Sequence, residues 1–173
     1  MLLDNKWVYY LITLMLLLIP KDLIYQLVLN YSQISQKGDC MPHIDEVELL
    51  RKRSLRMLNH AEHCVTTGDY DLASFLAEQA VQLYLKSVIL ELTGEVPRTH
   101  VVRQLFHILR TIIRDTEYID EFIRKNRRLL VGLEEAYLAS RYLFRIYEKE
   151  EAEELVNFAK EVIRFVRNIK SKT

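Results

Sequence analysis

DLASFLAEQAVQLYLKSVILEL, residues 71–92, is the stretch on which the fold turns. Ala73, Leu76, Ala80, Leu83 and Leu90 recur at helical spacing, and Phe75, Ala77, Val81, Tyr84, Val88 and Ile89 fill most of the remaining sides. A helix that is apolar nearly all round is buried nearly all round, so this one is expected at the centre of its domain. Asp69 or Asp71 opens it, and Gly94, ahead of Pro97, ends it.

Upstream, Asp45 and Glu48 form a helix-opening pair, and Val47, Leu50, Leu58, Ala61 and Val65 keep one face apolar until Gly68 breaks the run. Downstream, Thr99 is placed to cap a third helix facing inward through Val102, Leu105, Leu109 and Ile112. Thr116 can cap a short helix bearing Tyr118, Ile119, Phe122 and Ile123. A further helix from about Leu129 to Leu143 presents Leu130, Leu133, Tyr137 and Leu138. The last begins among the acids Glu148 to Glu154, which suit a helix N-terminus, and carries Ala152, Leu155, Ala159, Val162, Val166 and Ile169 inward. No run alternates with the period of a strand. The expected fold is all-α: an antiparallel bundle of about five helices over residues 41–173, preceded by a helical extension over 1–40.

Composition agrees. The 173 residues include only four Gly and three Pro, a scarcity of breakers that suits long helices, and 50% of them are hydrophobic, enough for one core. With 24 Lys plus Arg against 24 Asp plus Glu, there is no bulk attraction to nucleic acid or anionic lipid, so an anionic partner has to be held by a local patch. Cys40 and Cys64 lack the number and spacing of a disulfide framework or a zinc ribbon and read as reduced thiols of a cytoplasmic protein.

The first forty residues admit three readings. The apolar run Trp7–Ile19, broken only by Thr13 and ended by Pro20, is shorter than the roughly 20 residues of a membrane span. As a signal peptide it lacks a cleavage pattern, and Asp4 offsets Lys6. Leu23, Ile24, Leu27, Val28, Tyr31 and Ile34 then make an amphipathic helix. The pair can be an arm packed on the domain or on a second subunit, or an attachment to a membrane surface; alternatively the natural chain starts at Met41.

The segments DLASFLAEQA (71–80), Leu85–Leu92 with Lys86, Pro97-Arg98-Thr99-His100 and AYLASRY (136–142), in that order, resemble the HEPN domain family over roughly residues 45–170. That resemblance implies a small helical bundle, commonly a homodimer, found beside minimal nucleotidyltransferases, with some pairs acting as toxin and antitoxin. Members with ribonuclease activity carry an Arg followed after four to six residues by a His. Arg steadies phosphate charge, while His exchanges protons near neutrality. Here Arg141 holds the Arg place, but Ile146, Tyr147 and Glu148 stand where the His belongs. Tyr147 is a poor base at neutral pH. The implied role is therefore a nucleotide- or RNA-binding module that partners a nucleotidyltransferase, without catalysing alone.

Two constellations are candidates for that binding. His100, Arg103, His107, Arg110 and Arg114 are spaced to share one helical face, and no acid interrupts Arg98–Arg114. Such a strip can hold polyphosphate or an RNA backbone; alternatively it is a solvated face paired with Glu150, Glu151, Glu153 and Glu154. Tyr137, Arg141 and Arg145 share a face of the fifth helix, with Ser140 and Tyr142 adjacent, and can offer a phenol for stacking and guanidinium groups for phosphate. The binding residues expected are Arg98, His100, Arg103, Tyr137, Arg141 and Tyr142. If RNA is cut, Arg141 holds phosphate and His100 or His107 carries the proton.

Arg124, Lys125, Arg127 and Arg128 form a second basic cluster, which pairing with Glu134 or Glu135 would explain. His60, Glu62, His63 and Cys64 are close on the first helix but lack a second ligand pair, so no metal is expected, nor any cofactor. Glycine-rich phosphate loops, Gly-x-Ser-x-Gly elbows and His-Glu-x-x-His helices are missing from the sequence.

Overall fold

The computed structural model describes residues 43–113, 116–142 and 144–170. The N-terminal extension, its boundary with the domain, Cys40, Arg114 and Leu143 lie outside the described residues. Among those described there are six helices and no strand: α1 (His43–Thr67), α2 (Tyr70–Thr93), α3 (Val102–Ile112), α4 (Thr116–Lys125), α5 (Arg127–Tyr142) and α6 (Lys149–Lys170). These correspond one for one to the six helical segments of the sequence, with Asn126 alone separating α4 from α5.

α2 is the hub, packing on α1, α3, α5 and α6. Its turn from α1 is made by Gly68 at φ +87°, a left-handed conformation that costs a side-chain-bearing residue about 1 kcal/mol or more. Asp69 takes the N-cap position without a side-chain cap bond. At the far end Gly94, at φ +77°, donates its N–H to the Leu90 carbonyl at 2.8 Å.

The contacts fix the helix directions. Arg51 reaches Glu91 and Ser54 donates to the Ala80 carbonyl, so α1 and α2 are antiparallel. Asp71 pairs with the Tyr147 N–H ahead of α6, Tyr84 with Arg167, and Glu91 with Lys170, so α6 runs alongside α2 in the same sense. α6 is therefore antiparallel to α1, which it meets through Lys160 and Glu62.

The core draws on all six helices, and the α6 stripe Ala152, Leu155, Ala159, Val162, Val166 and Ile169 is buried throughout. Phe122 of α4 stacks on Phe165 at 3.9 Å between centroids. Two expected core members face out instead. Leu138 is exposed because the small Ala136 and Ala139 fill the inner side of α5, and Tyr118 is exposed because Ile119 and Phe122 take the inner side of α4.

Candidate functional site

α3 begins at Val102, not at Thr99. Thr99 accepts the Val101 N–H at 3.2 Å and donates to Gln104 Oε1, while extended Val101 takes the N-cap place without a side-chain cap. The cap comes from another helix: Glu134 of α5 accepts the Arg103 backbone N–H at 2.9 Å. The same carboxylate takes the Arg103 guanidinium, with Nη2 to Oε2 at 2.7 Å. This bidentate pair holds Arg103 charged, raising its pKa, and ties α3 to α5.

The expected Arg/His strip is therefore divided. Arg103 is bound by Glu134 and Arg110 by Asp120 at 2.8 Å, rather than by the acids at the start of α6. Those acids serve other partners: Glu151 and Glu154 pair with Arg145 and Arg128, and Lys149 with Glu153. His107 is exposed on α3. His100 precedes the helix instead of lying on its face, because the chain is still extended at Val101.

Displaced from the strip, His100 meets the second constellation. Its ring stacks on Tyr137 with centroids 6.0 Å apart and planes 9° apart. Arg141 lies 4.5 Å from the Tyr137 centroid and donates from Nη1 to its hydroxyl at 3.0 Å. No carboxylate pairs with Arg141 among the described residues. An imidazole, a phenol and an uncompensated guanidinium thus stand in one group, a fit for a base and a phosphate.

Arg98 is exposed in the α2–α3 connection, and Tyr142 is 72% exposed at the end of α5; neither joins the stack. Arg145 does not share the Arg141 face, because α5 ends at Tyr142. It pairs with Glu135 at 2.6 Å and Glu151 at 3.2 Å, over the Tyr147 ring. Arg128 pairs with Glu154, not with Glu134 or Glu135.

A groove of about 660 Å³ opens beside Arg141, between the start of α2 and the end of α5, with Phe75, Ser140, Phe144 and Ile146 in its walls. Tyr147 also lines it, but its side chain is buried and its hydroxyl has no hydrogen-bond partner among the described residues. Burial pushes that phenol above its ordinary pKa, so still less of it is ionised and able to take a proton at neutral pH. Among the described residues no three His, Cys, Asp or Glu side chains gather as metal ligands; His60 and His63 are exposed, and Glu62 pairs with Lys160 at 2.5 Å.

Behind His100 lies a polar group that the sequence reading passed over. Glu78 and Gln82 are buried on α2. Gln82 Nε2 donates to Glu78 Oε1 at 3.0 Å and to the His100 carbonyl at 3.3 Å, and Gln82 Oε1 lies 3.4 Å from His100 Nδ1. Gln79 donates to the other Glu78 oxygen at 2.7 Å. Burial pushes the Glu78 carboxyl up to about 7, against the two amide hydrogen bonds, with Glu134 adding to the rise and Lys86 opposing it. Their signal was present as Ser74, Glu78, Gln82 and Lys86, four polar residues at intervals of four down the most apolar helix.

The described residues thus form a helical bundle that carries an aromatic–guanidinium group between the α2–α3 connection and α5. A model of the HEPN domain family matches residues 47–169, and the chain belongs to that family. Among solved structures it is similar to TT1696 from Thermus thermophilus, with 22% identity, 73% of this chain and 99% of that one covered, and a TM-score of 0.57. It is also similar to ST0689, an archaeal HEPN homologue, with 25% identity, 70% and 95% covered, and a TM-score of 0.50. No curated protein matches the sequence. No helix among the described residues is long and apolar enough to cross a membrane.

Proposed function

We propose that this HEPN-family chain is a nucleotide- or RNA-binding partner module that acts in the cytoplasm with a minimal nucleotidyltransferase, as in a toxin–antitoxin pair, and does not catalyse alone. The observation that carries the binding reading is Arg141: exposed, free of any acidic partner among the described residues, and set against the Tyr137 ring on which His100 also stacks. The adjacent groove lies within the size range of small-ligand sites. Absence of the motif His, with a buried Tyr147 in its place, supports the noncatalytic part.

The homodimer is supported by Tyr142, Phe144 and Ile146, which expose apolar surface together around the α5–α6 connection. Sedimentation of the full chain is expected to give twice the monomer mass.

Titration calorimetry with mononucleotides and short RNAs tests the binding. Arg141→Ala is expected to weaken it about 10- to 100-fold, the value of a charge-assisted contact. Flat titrations with the wild-type chain would refute the reading. RNA cutting that is lost in both Arg141→Ala and His100→Ala would replace it with a ribonuclease. Co-purification with a minimal nucleotidyltransferase co-expressed from the same genome tests the partnership, and its failure removes that part.

A further inference from the structure

We infer that Gln82, held by Glu78, is a positioning residue that fixes His100 as the Nδ1–H tautomer and leaves its Nε2 lone pair to accept a hydrogen bond from a ribose hydroxyl of the bound nucleotide. The use of His100 toward a ligand rests on the function proposed above; the tautomer does not.

The amide orientation of Gln82 follows from its neighbours. The His100 carbonyl can only accept a hydrogen bond, and it lies 3.3 Å from Gln82 Nε2. Glu78 Oε1, 3.0 Å from the same nitrogen, accepts the second amide hydrogen. Both hydrogens of the amide are then used, and turning it over would set its oxygen against the His100 carbonyl, which has no hydrogen to offer. Gln82 Oε1 is left facing His100 Nδ1 at 3.4 Å. An amide oxygen has no hydrogen to give, so Nδ1 must carry one. In the neutral ring Nε2 is consequently bare.

A bare nitrogen does not bind phosphate; it takes a hydrogen from a donor. The imidazole and the Arg141 guanidinium flank one phenol ring, with the ring centroid 6.0 Å and the guanidinium carbon 4.5 Å from its centre, so one nucleotide can reach both. With phosphate on Arg141, the donor that a ribonucleotide has and a deoxyribonucleotide lacks is the 2′-hydroxyl. Glu78 supports the arrangement from behind: Gln79 and Gln82 occupy its two oxygens, which holds the Gln82 amide in place.

Long-range ¹H–¹⁵N correlation spectra of the full chain at pH 8 test the tautomer, with His100→Gln assigning the resonance among five histidines. The expected pattern is a protonated Nδ1 and a pyridine-type Nε2, the form a free imidazole disfavours. In Gln82→Met it is expected to move toward the Nε2–H form. A protonated Nε2 in the wild type, or a pattern unchanged in a folded Gln82→Met, overturns the inference. If Gln82→Met does not fold, the wild-type spectrum decides alone. In calorimetry, an oligoribonucleotide is expected to bind about 3- to 10-fold tighter than the deoxyribonucleotide of the same sequence, with the gap closing in Gln82→Met. Equal wild-type affinities overturn the hydroxyl contact. No heat with either oligomer sinks the nucleotide reading, while the spectra still judge Gln82 and His100.

Discussion

Glu78→Gln is predicted to stabilise the protein in base and to lose that advantage in acid. The wild-type carboxyl is fully buried, and burial lifts it from an ordinary 4.5 to about 7. A carboxyl whose folded pKa is raised favours the folded state fully below its unfolded pKa. That benefit is lost as pH rises through the folded pKa, because the unfolded chain releases its proton first. At about 1.4 kcal/mol per pH unit, ionising Glu78 in place costs about 3 kcal/mol by pH 8.5. The Gln variant escapes this cost but turns one amide group toward Gln79 or Gln82, both of which donate to Glu78, a loss of about 1 kcal/mol at every pH. Urea unfolding from pH 4.5 to 9 should therefore find the variant about 1 kcal/mol less stable at the acid end and about 2 kcal/mol more stable at the basic end, crossing over between pH 5 and 6. The other titrating groups common to both proteins largely cancel in the difference. A difference that stays constant with pH, or that falls as pH rises, would refute the argument.

Two further outcomes follow from local geometry. Glu134→Ala removes the cap of α3 and the bidentate partner of Arg103 together, and should cost about 1–3 kcal/mol in urea unfolding, with the largest loss of amide protection from hydrogen exchange at Arg103 and its neighbours. Gly68→Ala meets no atom within 4 Å, so its whole cost is the left-handed backbone at φ +87°: about 1 kcal/mol, read as a lower unfolding midpoint with an unchanged denaturant slope.

The helices were legible because burial writes a period into sequence. In α6 each apolar residue named from spacing is buried, and Gly68 and Gly94 end their helices by a property no other residue shares as cheaply. The site was legible only in part. Tyr137 and Arg141 could be paired because four residues along a helix is a fixed distance. His100 could not be placed by spacing, since that depended on where α3 begins, and the start is set by Glu134, 31 residues away from the Arg103 it caps. Partner choice among charges was equally hidden. Arg128 reaches Glu154 across 26 residues, a pairing that no local pattern contains. Leu138 and Tyr118 faced out because Ala136, Ala139, Ile119 and Phe122 had already filled the inner sides of their helices.

The buried stripe on α2 connects these two levels. Ser74 returns its hydroxyl to the Tyr70 carbonyl, a local bond that any helix can make. Glu78 and Gln82 differ: Gln82 donates to the Glu78 carboxyl and also to the His100 carbonyl, so the polar chain leaves the helix and ends on His100. Lys86, one turn further on, is also buried, and its pKa is lowered by desolvation although Glu78 opposes the fall. A core built for stability alone would place Leu or Met at 78, where an ionised carboxylate works against folding above pH 7. The same carboxylate is the acceptor that holds the Gln82 amide, and that amide faces the one histidine stacked on Tyr137. The position where the bundle departs most from an apolar core is thus the position that organises the binding group, and a polar residue in an otherwise apolar helix becomes a guide to the site it supports.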